Sequence, residues 1–151
     1  MSRQNAGAIR TLIEMADRES DQAAEALAEA NRNLAESEEN LNQLLDYRND
    51  YLGQLERNTQ NGLHAGSYMN FRTFLARLDQ AIVGQQAVVS ACRQKVSERR
   101  QQWQECECKK LSYGVLVTKA ETREQRIQLR REQKLMDEHA QRQSLKKTYP
   151  Y

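Results

Sequence analysis

The amino-acid sequence predicts an all-α protein: two long helices folded back on each other as an antiparallel coiled-coil hairpin, the second longer than the first. Three observations point there. Composition is the first: 38% of residues are apolar, 29% are charged, aromatics are scarce, and the single proline is Pro150 near the C-terminal end. Such a chain favours long helices over a compact mixed fold. The second is periodicity, with apolar and small residues recurring at spacings of three and four in both halves. The third is charge. Residues 1–56 hold 5 Arg, no Lys and 12 Asp/Glu, net −7, whereas residues 57–118 carry +5 and residues 119–151 carry +4. An acidic first half followed by a basic second half is suited to pairing with itself.

Helix one is expected over about 3–57. One column of its seam is Ile13, Ser20, Leu27, Leu34, Leu41, Arg48, Leu55, and the other is Ile9, Ala16, Ala23, Ala30, Ser37, Leu44, Tyr51. These are the a and d positions of a heptad. The second column is mostly Ala and Ser up to Leu44, so it allows close approach but buries little apolar area. A turn is expected over about 58–68, where two glycines, two asparagines and two hydroxyl residues interrupt the pattern. Gly62 suits a left-handed position closing helix one, and Ser67 or Asn70 can cap helix two.

Helix two is expected over about 69–146. Its columns are Leu75, Ile82, Val89, Val96, Trp103, Lys110, Val117 and Phe71, Leu78, Gln85, Cys92, Arg99, Cys106, Tyr113, Ala120, Ile127. With the turn centred near residue 63, facing positions add to about 126 by the antiparallel geometry of such hairpins. Leu55 then faces Phe71, Leu41 faces Gln85, Leu27 faces Arg99, and Ile13 faces Tyr113. The polar seam residues Arg48, Arg99 and Lys110 are expected to lay their stems across the seam and send their charged heads to water. At ~1.5 Å per residue the helices would be roughly 80 and 115 Å long, so helix two overshoots helix one. Residues from about Thr118 to Lys147 are left without a partner in the chain. The whole of 1–151 reads as a single hairpin.

Catalysis finds no support in the residues. Six scattered glycines form no phosphate-binding loop. His64 and His139 are far apart in any hairpin. Cys106-Glu107-Cys108 has neither a second pair nor a nearby histidine, and a structural zinc site needs four ligands. Cys92 and Cys106 fall on the seam, where a thiol packs as a small hydrophobe. No metal and no cofactor are expected. The N-terminal stretch has no apolar signal-peptide core, and nothing approaches the ~20 apolar residues of a membrane span. A soluble protein in a reducing compartment is expected, with any membrane contact made through partners. A nucleic-acid role for the basic second half competes poorly with the acidic partner already present in cis.

The informative feature is a second stripe beside the seam. Tyr47 and Phe74 occupy g positions with Asn40 and Ala81, and the adjoining d positions are Leu44, Tyr51, Leu78 and Gln85. Both halves lie near the turn and should share a face. Aromatic rings at flanking positions either are buried by a partner, at roughly 2 kcal/mol each, or fold over the seam and cap it. Beyond the seam, Arg126, Arg130, Arg131 and Lys134 form a basic run at helical spacing, either a solvated face or a contact for an acidic surface.

Two segments carry a resemblance. Leu44-Leu45-Asp46-Tyr47-Arg48-Asn49-Asp50-Tyr51 resembles the D-Y-x-x-x-Y segment of the FliJ family of flagellar export proteins. Lys134-Leu135-Met136-Asp137-Glu138-His139-Ala140-Gln141-Arg142 resembles that family's K-x-M-D-E-x-A-x-R signature. Asn70-Phe71-Arg72-Thr73-Phe74 with Leu78 also looks like the start of its second helix. The resemblance implies a cytoplasmic, non-catalytic stalk of the flagellar type III export apparatus, at the inner membrane at the flagellar base. Such a stalk enters the hexameric export ATPase, contacts the cytoplasmic domain of the export-gate membrane protein, promotes ATPase assembly and proton-driven export, and is associated with export chaperones. It further implies a gate-binding face of Asn40, Leu44, Tyr47, Tyr51, Phe74, Leu78, Ala81 and Gln85. Gln85 would close that face, which accounts for a polar residue in the seam. The ATPase-facing residues would be Arg126, Arg130, Lys134, Met136, Asp137 and Glu138. An injectisome stalk or a generic coiled-coil scaffold would share the architecture.

Overall fold

The structure, a computed structural model, describes residues 3–62 and 64–148, with side chains from Gly7 onward. It is all-α: α1 spans Arg3–Gln60 (58 residues) and α2 spans Ala65–Thr148 (84 residues). Neither contains a proline, so no amide donor is missing from either ladder. The turn is shorter than the local sequence implies. Thr59 stays helical, with its hydroxyl donating to the Leu55 carbonyl at 2.7 Å. Past it, the Asn61 amide reaches Arg57 O at 3.2 Å, and the Gly62 amide bonds Thr59 O at 3.3 Å. Gly62 then takes φ +86°, the left-handed conformation that ends helices and that glycine adopts without a Cβ clash. The expected centre of the turn, Leu63, lies outside the described residues.

α2 begins earlier than its polar residues suggest. The Tyr68 amide already donates to His64 O at 3.0 Å. Ser67 and Asn70 are therefore inside the first turns of α2, and neither is its cap. The apolar run from Phe71 onward supplies the packing, and the helix extends back to Ala65.

The chain divides into two compact units. The turn unit is Asp21–Glu105. The terminal unit is the chain to Ser20 together with the chain from Cys106. Within each, α1 and α2 pack on each other in antiparallel order. In the turn unit the numbers of contacting residues add to between 122, for Ser37 with Gln85 and Tyr51 with Phe71, and 131, for Glu38 with Arg93. In the terminal unit they add to 127 or 128, for Asp17 with Lys110, Ser20 with Glu107 and Glu19 with Lys109.

The core of the turn unit is Ala30, Leu78, Ile82, Val89 and Val96, all buried. Small residues on α1 thus face larger aliphatics on α2. Ser37 is buried as well. Its hydroxyl donates to Leu34 O at 2.8 Å, and its own carbonyl accepts the Gln85 side-chain amide at 3.0 Å. Both polar groups are satisfied inside the seam, as burial requires. In the terminal unit Ala16 and Ser20 are buried, and the Ser20 hydroxyl donates to the Glu107 carboxylate of α2.

Two expectations about the seam need correction. Arg48 and Lys110 do not send their heads simply to water. Arg48 Nε pairs with Asp79 at 2.5 Å, while Lys110 Nζ lies 3.8 Å from Asp17 and 3.6 Å from Glu107. An acidic neighbour stands within reach of each head, and the pairs stay half-exposed. Ile127 is not a seam residue either: it is 40% exposed. Facing positions adding to about 127 leave no α1 residue opposite it, and every residue from Glu121 to Thr148 is exposed. No helix among the described residues is long and apolar enough to cross a membrane.

Candidate functional site

The stripe beside the seam lies in the turn unit, where α1 brings Asn40, Leu44, Tyr47 and Tyr51 and α2 brings Phe74, Leu78, Ala81 and Gln85. Leu78 is buried; Leu44, Tyr51 and Gln85 are half-buried; Asn40 and Ala81 are exposed. Tyr51 is the organising residue. Its ring lies 4.8 Å from Phe71 and 4.5 Å from Phe74, tilted by 42° and 46°. Tilted stacks at this separation suit the ring quadrupoles.

The two aromatic g residues behave differently. Phe74 leans over Tyr51 and still exposes 41% of its surface. Tyr47 is 64% exposed and has no ring partner among the described residues. One ring caps the seam while the other stands in solvent. Val88, exposed and seven residues beyond Ala81, continues the g column of Phe74 and Ala81. The repeat of 74, 81 and 88 was the signal that would have placed it on this face. In the two interhelical ion pairs of this unit among the described residues, seam residue Arg48 with Asp79 and Glu38 with Arg93, the residues outside the seam (Asp79, Glu38 and Arg93) hold positions on the opposite flank. The g flank is therefore free of charge at Asn33, Asn40 and Tyr47 on α1 and at Phe74, Ala81 and Val88 on α2.

Arg126, Arg130, Lys134, Met136, Asp137 and Glu138 all belong to the exposed stretch of α2 in the terminal unit. Leu129, Leu135 and Met136 are exposed beside them. With no seam beneath it, this stretch of helix gains little packing from α1. In the same unit, a hydrogen bond from Ser20 and the nearby Lys110 ammonium hold the Glu107 carboxyl below its ordinary 4.5. The hydrogen bond to Glu19, 3.3 Å away, raises the Lys109 ammonium above its ordinary 10.5. These groups clamp α1 to α2.

Cys92 and Cys106 are half-buried in the seam, Cys108 is exposed, and all three are free thiols. Among the described residues, no three His, Cys, Asp or Glu side chains converge as metal ligands.

A family model described as Flagellar FliJ protein matches residues 5–148. The chain is 31% identical over 141 residues to the Flagellar FliJ protein of Salmonella typhi, covering 93% of this chain and 96% of that one. It is 30% identical over the same length to the Flagellar FliJ protein of Escherichia coli strain K12, with the same coverage.

Proposed function

Because this chain belongs to the flagellar FliJ family, we propose that it is the non-catalytic stalk of the flagellar type III export apparatus. In this reading it joins the hexameric export ATPase to the cytoplasmic domain of the export-gate protein and promotes ATPase assembly and proton-driven export. It acts in the cytoplasm at the flagellar base, touches the membrane only through partners, and takes part in handling export chaperones. The observation that carries the reading is a family match running almost end to end, with the relatives covered as fully as the chain itself.

The turn unit supplies the gate face: Asn40, Leu44, Tyr47, Tyr51, Phe74, Leu78, Ala81 and Gln85. The exposure of Tyr47 and the charge-free flank around it favour a partner that buries the ring. The exposed part of α2 supplies the ATPase contact through Arg126, Arg130, Lys134, Met136, Asp137 and Glu138. Its continuous helix and its lack of burial favour a partner that encloses it.

The test mixes the purified protein with the gate cytoplasmic domain and, separately, with the ATPase. Tyr47→Ala/Phe74→Ala weakens gate binding by about thirtyfold, equivalent to about 2 kcal/mol, and leaves ATPase binding intact, with unchanged circular dichroism. A wild-type protein that binds neither partner at micromolar concentration sinks the proposal and leaves a coiled-coil scaffold in its place.

A further inference from the structure

The terminal unit carries a groove that belongs to neither proposed contact. Ile9 and Leu12 of α1 form one wall, and Tyr113, Leu116 and Ala120 of α2 form the other. Ile9, Tyr113 and Ala120 are half-buried seam residues, whereas Leu12 and Leu116 are 45% and 57% exposed. The cause is in the sequence. Leu111-Ser112-Tyr113-Gly114-Val115-Leu116-Val117 is apolar on more faces than one partner helix can cover. Tyr113 and Val117 take the seam, and Leu116 is left on the flank beside Leu12.

The edge of the groove is basic. Lys119 and Arg123 line it, and neither enters an ion pair among the described residues. One heptad away on the same flank, Glu19 is already taken by Lys109 at 3.3 Å. At 3.6 residues per turn, Lys119, Arg123, Arg126, Arg130 and Lys134 fall within an arc of about 80°, and Glu121, Glu124 and Glu132 fall on the other side of the helix. The positive edge thus continues past the groove until Asp137 interrupts it.

We propose that this groove docks an acidic amphipathic helix of a partner protein. Leucine-type side chains at i, i+3 and i+7 of that helix fill the space between Leu12 and Leu116. Its flanking carboxylates meet Lys119 and Arg123. Two side-by-side helix walls with an apolar floor receive a third helix ridge, and the uncompensated bases select its charge. A nucleic-acid backbone would satisfy the bases but leave both leucines in water.

The probe is a designed amphipathic peptide with heptad leucines flanked by glutamates, paired with a control in which lysines replace the glutamates. Both are labelled and titrated with the full-length protein by fluorescence anisotropy. The acidic peptide binds at least about tenfold more tightly than the basic one. Leu12→Ser/Leu116→Ser weakens it about tenfold, and Lys119→Glu/Arg123→Glu inverts the preference between the two peptides. All four side chains are exposed, so the ellipticity of both variants stays at the wild-type value. Equal binding of the two peptides overturns the proposal, as does acidic-peptide binding that ignores the loss of both leucines. A dimer mass without peptide that falls to a monomer on Leu116→Ser also overturns it, because a second copy would then fill the groove. None of these readouts involves the ATPase or the gate, so failure here leaves the stalk reading untouched.

Discussion

Gly62 is the one described residue with positive φ, and a Cβ added there would meet no heavy atom within 4 Å. The loss on Gly62→Ala is therefore conformational. It should lower stability by about 1 kcal/mol, seen as a lower urea midpoint at unchanged slope, and Gly62→Asn should lose less. Glu107 is a second residue with a distinct signature. Its carboxyl is held below 4.5 by the Ser20 hydrogen bond first and by Lys110 after it. A depressed carboxyl contributes stability that is present above 4.5 and lost as pH falls through its folded value. Glu107→Gln should accordingly lower the melting temperature at pH 7 and converge with wild type as the pH falls through the depressed value of the folded carboxyl. Lys109 has the opposite sign, since its raised value gives stability present below 10.5 and lost only as pH climbs past it.

Along α2 the same residue type means different things at different places. Ile82 is buried in the seam and Ile127 lies in the exposed stretch. Ile82→Ala should cost about 2–4 kcal/mol, whereas Ile127→Ala should stay within about 0.5 kcal/mol, both read by urea denaturation. Truncation after Ala120 removes 31 residues, of which the described ones, Glu121 to Thr148, are all exposed. It should leave the cooperative midpoint nearly unchanged while the helical signal falls by about a fifth. A midpoint that drops with the signal would mean that this stretch of α2 folds as part of the seam. Isolated helical segments owe little to packing, so the contrast separates folding from contact.

For the molecule as a whole, the acidic first half and basic second half do meet. Glu38 with Arg93, Glu19 with Lys109 and Asp17 with Lys110 all put the acid on α1 and the base on α2, and Arg48 with Asp79 reverses the order. All four pairs are at least one-third exposed, so solvent screens them and each contributes little to stability. Their shared value is direction: a parallel pairing of the helices would lose them together. Raising salt from low to high concentration should therefore shift the melting temperature by only a few degrees. A large shift would place electrostatics, rather than the Ala30, Ile82, Val89 and Val96 seam, at the centre of stability.

The seam was legible because a heptad needs only spacing. Every column residue from Ile9 to Leu55 and from Phe71 to Ala120 is buried or half-buried. Gly62 was legible because a left-handed turn admits few other residues. The ends of the turn were not, since Thr59, Ser67 and Asn70 have turn chemistry but are carried into helices by the packing beyond them. The partners of Arg48 and Lys110 were missed because interhelical reach depends on register to within a turn. Tyr47 and Phe74 share a heptad column, yet only Phe74 lies on Tyr51, because a ring at a flanking position is buried by whatever the opposite helix places beneath it. The groove between Leu12 and Leu116 is absent from any single-helix pattern. It exists because antiparallel packing brings two exposed leucines, 104 residues apart in the chain, to one level. Periodicity within a helix is a local property of the chain, but what stands opposite a side chain is a property of the pairing.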